Sequence, residues 1–463
     1  MNDKQCCEYA EQLFSEKAPL NSLHQEIAEN FYPERADFTY RRDLGDEFAA
    51  HLISSYPVLV RRDLSDQIGT MLRPTSKEWF HVTVAGNRRE DDEAKRWLQM
   101  ATRVQRRAMY DQAAMLNRAT KEGDNDYVTF GQTVISAELC FDNIEAGPHL
   151  LHRCWHLRDM AWNEDRYGKV GNRFRRWKPT CRELYSIFKD EVHPSVKRNA
   201  TAPGKKPLTK VDVLHMIVEA DLYDQKDKRA DKRPWVSIHY DQTNRHLIRA
   251  TPQYSPYYLI ARWQTVSGSQ YAYSPATIIG LPDARLIQAM GRTLLEAGEK
   301  AVNPPMVATD QVIRSDISIY NGGITWVDRD YDERLGPALR SLENAGAKGI
   351  PFGLDMTADV RQQLAAVFYL NKLTMPQRAP EMTAYEVGQR IQQYIRDAMP
   401  IFEPMEADYN GQLCEMDFDL LLRGGAFGPP QEMPESLSNA DVSFRFESPL
   451  HDAVDAQKAQ KFM

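Results

Sequence analysis

A chain of 463 residues has room for about three structural units at roughly 150 residues each. Apolar residues make up 42% and charged residues 27%. That excludes a wholly disordered polypeptide, which would lack the apolar surface needed to drive collapse. Against 58 Lys and Arg stand 65 Asp and Glu, a formal net charge of −7, which argues against a tight global grip on DNA or RNA through phosphate neutralisation.

The first third reads as mostly helical. Leu23, Ile27 and Phe31 recur at helical spacing and Pro33 stops the pattern; Val60, Leu64, Ile68 and Leu72 repeat it and Pro74 closes it. A third helix is predicted from about Asp92 to Arg118, with Trp97, Val104, Ala108, Met115 and Leu116 near one face. Between the second and third, WFHVTVAGN reads as a strand ended by the Gly86-Asn87 turn. From about Tyr127 the period becomes two, and Val128, Phe130, Thr133, Ile135, Ala137 and Leu139 predict strands interrupted at Gly131. Strands and turns continue from Leu151 to Trp177, followed by a helix over about Thr180 to Asp190 and a polar loop from Asn199 to Lys210. Strands return at Val211 to Leu222, Trp235 to Tyr240 and Leu247 to Ala250.

After Ser274-Pro275 a long helix is predicted from Pro282 to about Val302, with Leu286, Met290, Leu294, Ala297 and Ala301 on one face. Gly291 and Gly298 lie on another, each costing roughly 1 kcal/mol relative to Ala. Short strands and turns fill Met306 to Gly353, a second helix spans about Ala358 to Leu373, and the two prolines of TMPQRAPEM break it. A third helix opens on the Thr383/Glu386 capping box, with Pro400 and Pro404 set to kink it.

Several chemistries have no support in the sequence. Six cysteines are too sparse for a disulfide framework. The N-terminal MNDKQCCEYAEQLF has acids and no apolar core, so it does not read as a signal peptide. No stretch approaches the ~18 apolar residues of a spanning helix, and membrane insertion is not expected. A phosphate loop, G-x-S-x-G, H-E-x-x-H and paired C-x-x-C are all missing. His149, His152, Cys154 and His156 partly alternate along an expected strand, but without a second ligand pair the set reads as the filling of a half-buried face. Asp328, Asp330 and Asp332 begin like a calcium loop, yet Glu333 stands where Gly belongs and Leu339 where Glu belongs. No metal site, cofactor or catalytic residue is therefore assigned. The basic pairs Arg88-Arg89, Arg106-Arg107 and Arg175-Arg176 read as ordinary solvated surface.

The segment SGSQYAYSPATIIGLPDARLIQAMGRTLLEAGEKAVNPPM, from Ser267 to Met306, resembles the head-to-tail connector (portal) proteins of short-tailed, podovirus-type bacteriophages. So do DVRQQLAAVFYLNKL, EMTAYEVGQRIQQYIRDAMPIFEPMEADY, FRFESPLHDAVDAQKAQ and the earlier LVRRDLSDQIGTMLRPTSKEWFHVTV. The resemblance implies an α+β, mainly helical subunit of a ring, usually a dodecamer. Residues 1–281 would be its wing, 282–303 and 355–373 its stem helices and 304–354 a strand-rich clip. A channel loop would occupy 374–382, a kinked helix and wing return 383–440, and the start of a crown 441–463. Family members typically continue beyond the last matching segment, so either the crown is minimal or the sequence is incomplete.

The implied function is structural. It is a connector at a capsid vertex through which viral DNA is packaged and ejected, assembled in the host cytoplasm and carried in the virion. Implied partners are other copies of the chain, double-stranded DNA, the terminase packaging motor, tail adaptor and tail proteins, and capsid and scaffold proteins. Head-to-tail contacts close into a ring when the rotation divides a full turn. Ala289, Gly291 and Gly298 are candidates for close helix packing there. Gln377 and Arg378 are candidates for the DNA-facing loop, and Trp326, Asp328, Arg329 and Asp330 for the clip's partner surface. The competing reading is a metal-dependent nuclease using unlinked carboxylates such as Asp328, Asp330 or Asp359.

Overall fold

The helical spacing at the start of the chain sets the first elements. In the computed structural model, the described residues are 1–43, 45–86, 91–141, 148–202, 204–223, 233–302, 306–308, 334, 339–341, 345–373, 402–403, 405–437 and 441–447. Helix α1 (Asp3–Glu16) opens on an Asn2/Gln5 capping box, and α2 (Ala18–Phe31) ends just before Pro33. In α3 (Tyr56–Leu72) the four apolar residues at helical spacing, Val60, Leu64, Ile68 and Leu72, are all buried. Strand β1 (Phe80–Val84) follows, then α4 (Asp92–Met109).

Asp91 caps α4, its Oδ1 accepting the Ala94 N–H at 2.7 Å. Asp91→Ala should lower stability by about 1 kcal/mol, read as a small drop in thermal midpoint with no change in the circular dichroism spectrum. An unchanged midpoint would mean that this cap contributes nothing.

Two expectations fail just beyond. The helix predicted to run on to Arg118 ends at Met109, and after a short 3-10 turn Met115 takes a left-handed φ of 52°. A new helix, α5 (Leu116–Phe130), then covers Tyr127, Val128 and Phe130, where the two-residue period predicts strand. Its last residues, Asp126 to Phe130, are all buried. A helix enclosed on every side loses the one-face pattern by which helices are recognised.

Gly131 turns the chain at φ 74° from α5 into β2 (Gln132–Cys140). Beside β2 run β3 (His149–Cys154) and, further along the chain, a late strand, in the order β3-β2-late strand. A five-stranded antiparallel meander is formed by β4 (Met160–Glu164), β5 (Val170–Trp177), β6 (Val213–Glu219), β7 (Trp235–Asp241) and β8 (His246–Gln253). Helices α6 (Cys181–Phe188) and α7 (Pro194–Thr201) interrupt it between β5 and β6, so part of the predicted polar loop is helical. The late partner of β2 is β9 (Tyr258–Arg262), followed by the two-residue pair β10 (Gln264–Thr265) and β11 (Ala272–Tyr273).

The meander is apolar on one face and polar on the other. Phe174, Leu214, Met216, Val236 and Ile238 pack under Cys6, Ala10, Leu13 and Phe14 of α1. The opposite face carries Arg175, whose guanidinium lies 3.8 Å from the Trp155 ring centroid, and His215, which bonds Ser237 and Tyr258 at 2.8 and 2.6 Å. Arg175 and Arg176 are thus not simple solvated surface. Arg175 is buried, and Arg176 lies over Phe14, 4.0 Å from its ring centroid. Alternation along β5 sends the two to opposite faces.

The long helix α8 runs from Pro275 to Val302, so it begins seven residues before the expected Pro282. Ser274 and Pro275 are the start signal: the Ser274 carbonyl accepts the Ile278 N–H at 3.1 Å, and proline suits a first turn whose N–H groups lack partners. A short antiparallel pair, β12 (Met306–Ala308) with β13 (Leu339–Ser341), precedes α9 (Ala345–Val367), and α10 (Leu370–Leu373) follows it. The second long helix therefore starts thirteen residues before the predicted Ala358. A π-turn at Glu406–Gly411 leads into α11 (Gln412–Arg423). Finally β14 (Val442–Phe446) pairs antiparallel with β1, from Phe80 opposite Phe446 to Val84 opposite Val442.

The main core gathers α2, α3, α5, β2, β9, the first half of α8, the π-helical stretch at Glu406–Gly411 and α11 around Phe31, Tyr127, Phe368, Phe402 and Tyr409. Ion pairs tie it together across long stretches of chain. Arg73 and Asp124 are paired in the interior, and Arg73 Nη1 also donates to Asn410 Oδ1 at 2.8 Å. Gln105 reaches the Cys414 carbonyl at 2.8 Å.

Candidate assembly surface

The long helices α8 and α9 form an antiparallel pair. Gly280 sits against Leu364 and Phe368, while Gly353 sits against Leu294, so residue numbers fall on one helix as they rise on the other. At about 1.5 Å per residue, the 28 residues of α8 extend about 42 Å.

One half of the pair is anchored. Ala276, Thr277, Gly280, Leu281, Ala284 and Ile287 of α8 are buried, and Phe368 packs on Phe31 with ring centroids 5.4 Å apart. The loop before α3 and the first residue of α3 fasten the two helices: the Gln288 side chain accepts from the Ile53 and Ser54 N–H groups and donates to the Ser54 carbonyl, each at 2.8 Å. The Tyr56 hydroxyl donates to the Arg361 carbonyl at 3.0 Å, and Arg285 pairs with Glu26.

The other half presents apolar side chains to solvent. Leu295 is 60% exposed, Val302 87%, Phe352 69% and Leu354 57%. Nearer the anchor, Ile279 and Leu286 are also exposed. Residues seven apart share a side of a helix, so Ile279 and Leu286 form one strip and Leu295 and Val302 another. Nine residues, or two and a half turns, separate Leu286 from Leu295, which puts the two strips on opposite sides. Leu294, Leu295, Gly298, Glu299, Lys300 and Val302 also line a groove of about 690 Å³.

The helix face expected to be apolar is therefore split: Leu286 is exposed and Leu294 is the residue that meets α9. Of the small residues singled out from sequence, Ala289 is exposed. A Cβ on Gly291 would stand 3.0 Å from Ile53 of the same chain, and one on Gly298 would meet nothing within 4 Å. The glycine where α8 and α9 approach most closely is Gly353, whose added Cβ would stand 2.7 Å from Leu294. Sequence reasoning passed over it because it precedes the predicted start of its helix. Gln377, Arg378, Trp326, Asp328, Arg329 and Asp330 lie outside the described residues. Asp359 is on α9, where its Oδ2 accepts from Gln363 at 3.5 Å.

His149, His152, Cys154 and His156 have separate partners. His152 is buried between the Ala114 carbonyl and Asp417, and Cys154 lies near Asp126 and Arg35. His156 has left the strand and bonds Asp37 at 2.5 Å, and His149 opens β3 opposite Cys140. Among the described residues no group of three or more His, Cys, Asp or Glu is arranged to hold a metal ion. No described helix is long and apolar enough to cross a membrane.

The sequence model of the family described as bacteriophage head to tail connecting protein matches residues 3–463. A probable portal protein of Bordetella phage BPP-1 is 24% identical over 462 residues, covering 96% of this chain and 78% of the relative. The portal protein of Salmonella phage epsilon15 is 22% identical over 282 residues, covering 58% of this chain and 48% of the relative. Among solved structures, a chain of the virion of a native gene transfer agent particle aligns over 94% of this chain and 93% of its own, with a TM-score of 0.39 and 10% identity.

Proposed function

Because the chain belongs to the bacteriophage head to tail connecting protein family, we propose that it acts as the repeating subunit of a closed ring, of twelve copies as the resemblance implies, at a capsid vertex. Its role is structural: it is a portal joining head to tail, and the family match lends no support to the nuclease reading. The observation that carries the ring is the pair of opposed apolar strips on α8, Ile279 with Leu286 and Leu295 with Val302. A ring built head to tail needs two different surfaces on each subunit, one for each neighbour. Exposed apolar residues of this size on a paired helix are the surfaces such contacts bury. The groove beside Gly298 suits a side chain from an adjoining α8 or α9.

In this reading α8 and α9 line the stem, and double-stranded DNA passes along the ring axis during packaging and ejection. The acid excess of seven charges suits a sleeve in which DNA slides, because each phosphate neutralised would add affinity. Gln377 and Arg378 would supply a few basic and polar contacts in the channel loop. The segment around Trp326, Asp328, Arg329 and Asp330 would be the clip, offered first to the terminase motor and then to tail proteins. Capsid and scaffold proteins would meet the outer wing, in assembly that takes place in the host cytoplasm before the portal is carried in the virion.

Electron microscopy and mass photometry of the purified chain test the ring. The expected result is closed rings with a central hole wide enough for a duplex, and their loss in the Leu295→Asp/Val302→Asp double variant while the monomer keeps its circular dichroism spectrum. Rings that persist unchanged in that variant would remove the second strip from the interface.

A further inference from the structure

Helix α4 carries a charged feature unrelated to the apolar strips and independent of the ring reading. Arg96, Arg103 and Arg107 are all exposed on it. At 100° per residue they fall within about 40° of one another, a narrow line along the outer side of the helix. None of the three arginines takes part in a described ion pair or side-chain hydrogen bond. Of the two acids one turn before Arg96, Asp92 is met by Lys95 at 3.8 Å, and the exposed Glu93 makes no described ion pair with Arg96. The inner side of α4 is committed to the core through Ala94, Leu98, Ala101, Gln105 and Met109. On a chain with an acid excess, three unneutralised guanidiniums in one line form a local positive ridge.

The geometry points to the backbone of a DNA duplex as the partner of this ridge, held through phosphates without regard to sequence. A protein partner would need an apolar or aromatic centre to the contact, and none of the exposed large hydrophobic residues lies on α4. Single-stranded nucleic acid would need rings on which bases could stack. The ring on the helix itself, Trp97, is half-buried with its edge against Phe427, centroids 5.9 Å apart, and Tyr110 beyond the helix end takes the Trp79 indole N–H at 2.9 Å and is covered by Arg106. What remains is a row of forked donors suited to phosphate oxygens. Arg96 and Arg103 are about 10 Å apart along the axis, comparable to the ~12 Å width of the major groove, so they can reach phosphates on either rim.

The test is fluorescence anisotropy of a labelled duplex of arbitrary sequence, titrated with the full chain between 50 and 200 mM salt. Three phosphate contacts contribute about −2.7 to the slope of log affinity against log salt. Arg96→Gln/Arg103→Gln/Arg107→Gln should therefore flatten the slope by about that amount, so that wild type loses about 40-fold more affinity over this range than the variant. The matched control Lys205→Gln/Lys206→Gln/Lys210→Gln removes the same charge from exposed positions elsewhere and should leave the slope unchanged. If the triple variant does not fold, Arg103→Gln alone should flatten the slope by about 0.9. Equal losses in the two triple variants, or no binding by wild type at 50 mM salt, would overturn the proposal. So would arginine-dependent binding of polyglutamate as tight as that of DNA, which would assign the ridge to an acidic protein surface.

Discussion

Gly131→Ala is expected to yield a chain that does not reach the native fold. A Cβ at this position would lie 2.0 Å from the Tyr273 carbonyl carbon and 2.2 Å from the Ser274 nitrogen, both backbone atoms that no rotamer change can move aside. Gly131 also closes α5 with a φ of 74°, and its carbonyl accepts the Trp263 N–H at 2.7 Å. It is the point where α5, β2, the strand pair at β9 and the first turn of α8 converge. Left-handed backbone alone costs a non-glycine residue about 1–2 kcal/mol, whereas a forced backbone shift in a packed interior places the total above about 4 kcal/mol.

Gly204 is the matched control, because its φ is 76° and an added Cβ would meet nothing within 4 Å. Gly204→Ala should show only the left-handed cost. Soluble yield and thermal midpoint of the two variants, side by side, separate conformation from crowding. Equal behaviour would mean that α8 does not start against Gly131.

The second large effect concerns His152 and Asp417, which lie 265 residues apart and are both fully buried. His152 Nδ1 faces the Ala114 carbonyl at 3.0 Å, and Nε2 faces both Asp417 oxygens at 2.9 and 3.0 Å. A carbonyl and a carboxylate can only accept, so both ring nitrogens donate and the ring is the imidazolium. Burial by itself pulls this histidine down, but Asp417 and the Ala114 carbonyl override it and hold His152 above its ordinary value. Asp417→Ala leaves a buried cation unpaired and should cost about 3–5 kcal/mol.

The pH dependence has a definite sign. A histidine raised on folding adds stability that is fully present below its unfolded value near 6.5 and fades as pH rises through the folded value. Asp417→Asn keeps an acceptor but removes the charge. The gap in thermal midpoint between wild type and Asp417→Asn should therefore be widest near pH 6 and narrow toward alkaline pH. A gap that stays constant over that range would show that His152 is neutral in the fold.

Much of the architecture was legible along the chain because local periodicity reports which side of an element is covered. Val60, Leu64, Ile68 and Leu72 each landed in the core at the spacing that marked them. The long helix near the end was visible from its repeats, and the family from Ser267 to Met306 and the segments that follow. Periodicity failed in α5, where burial on every side erased the pattern. It also misplaced the start of α8, because Pro275 and Pro282 both fit a first turn and only the Ser274 carbonyl bond chose between them.

What the amino-acid order alone determined, then, was the identity of the connector family, most of the helices and the acid excess of the whole chain. The three-dimensional fold decided which residues meet across hundreds of positions: Arg73 with Asp124 and Asn410, His152 with Asp417, β1 with β14. It also showed that Gly353 and Gly131, rather than Gly298, sit where another segment presses close, and that the apolar residues of α8 divide into two opposed strips. The physical reason is that backbone preference acts between neighbours in sequence. Charge pairing, close approach and exposure are properties of neighbours in space.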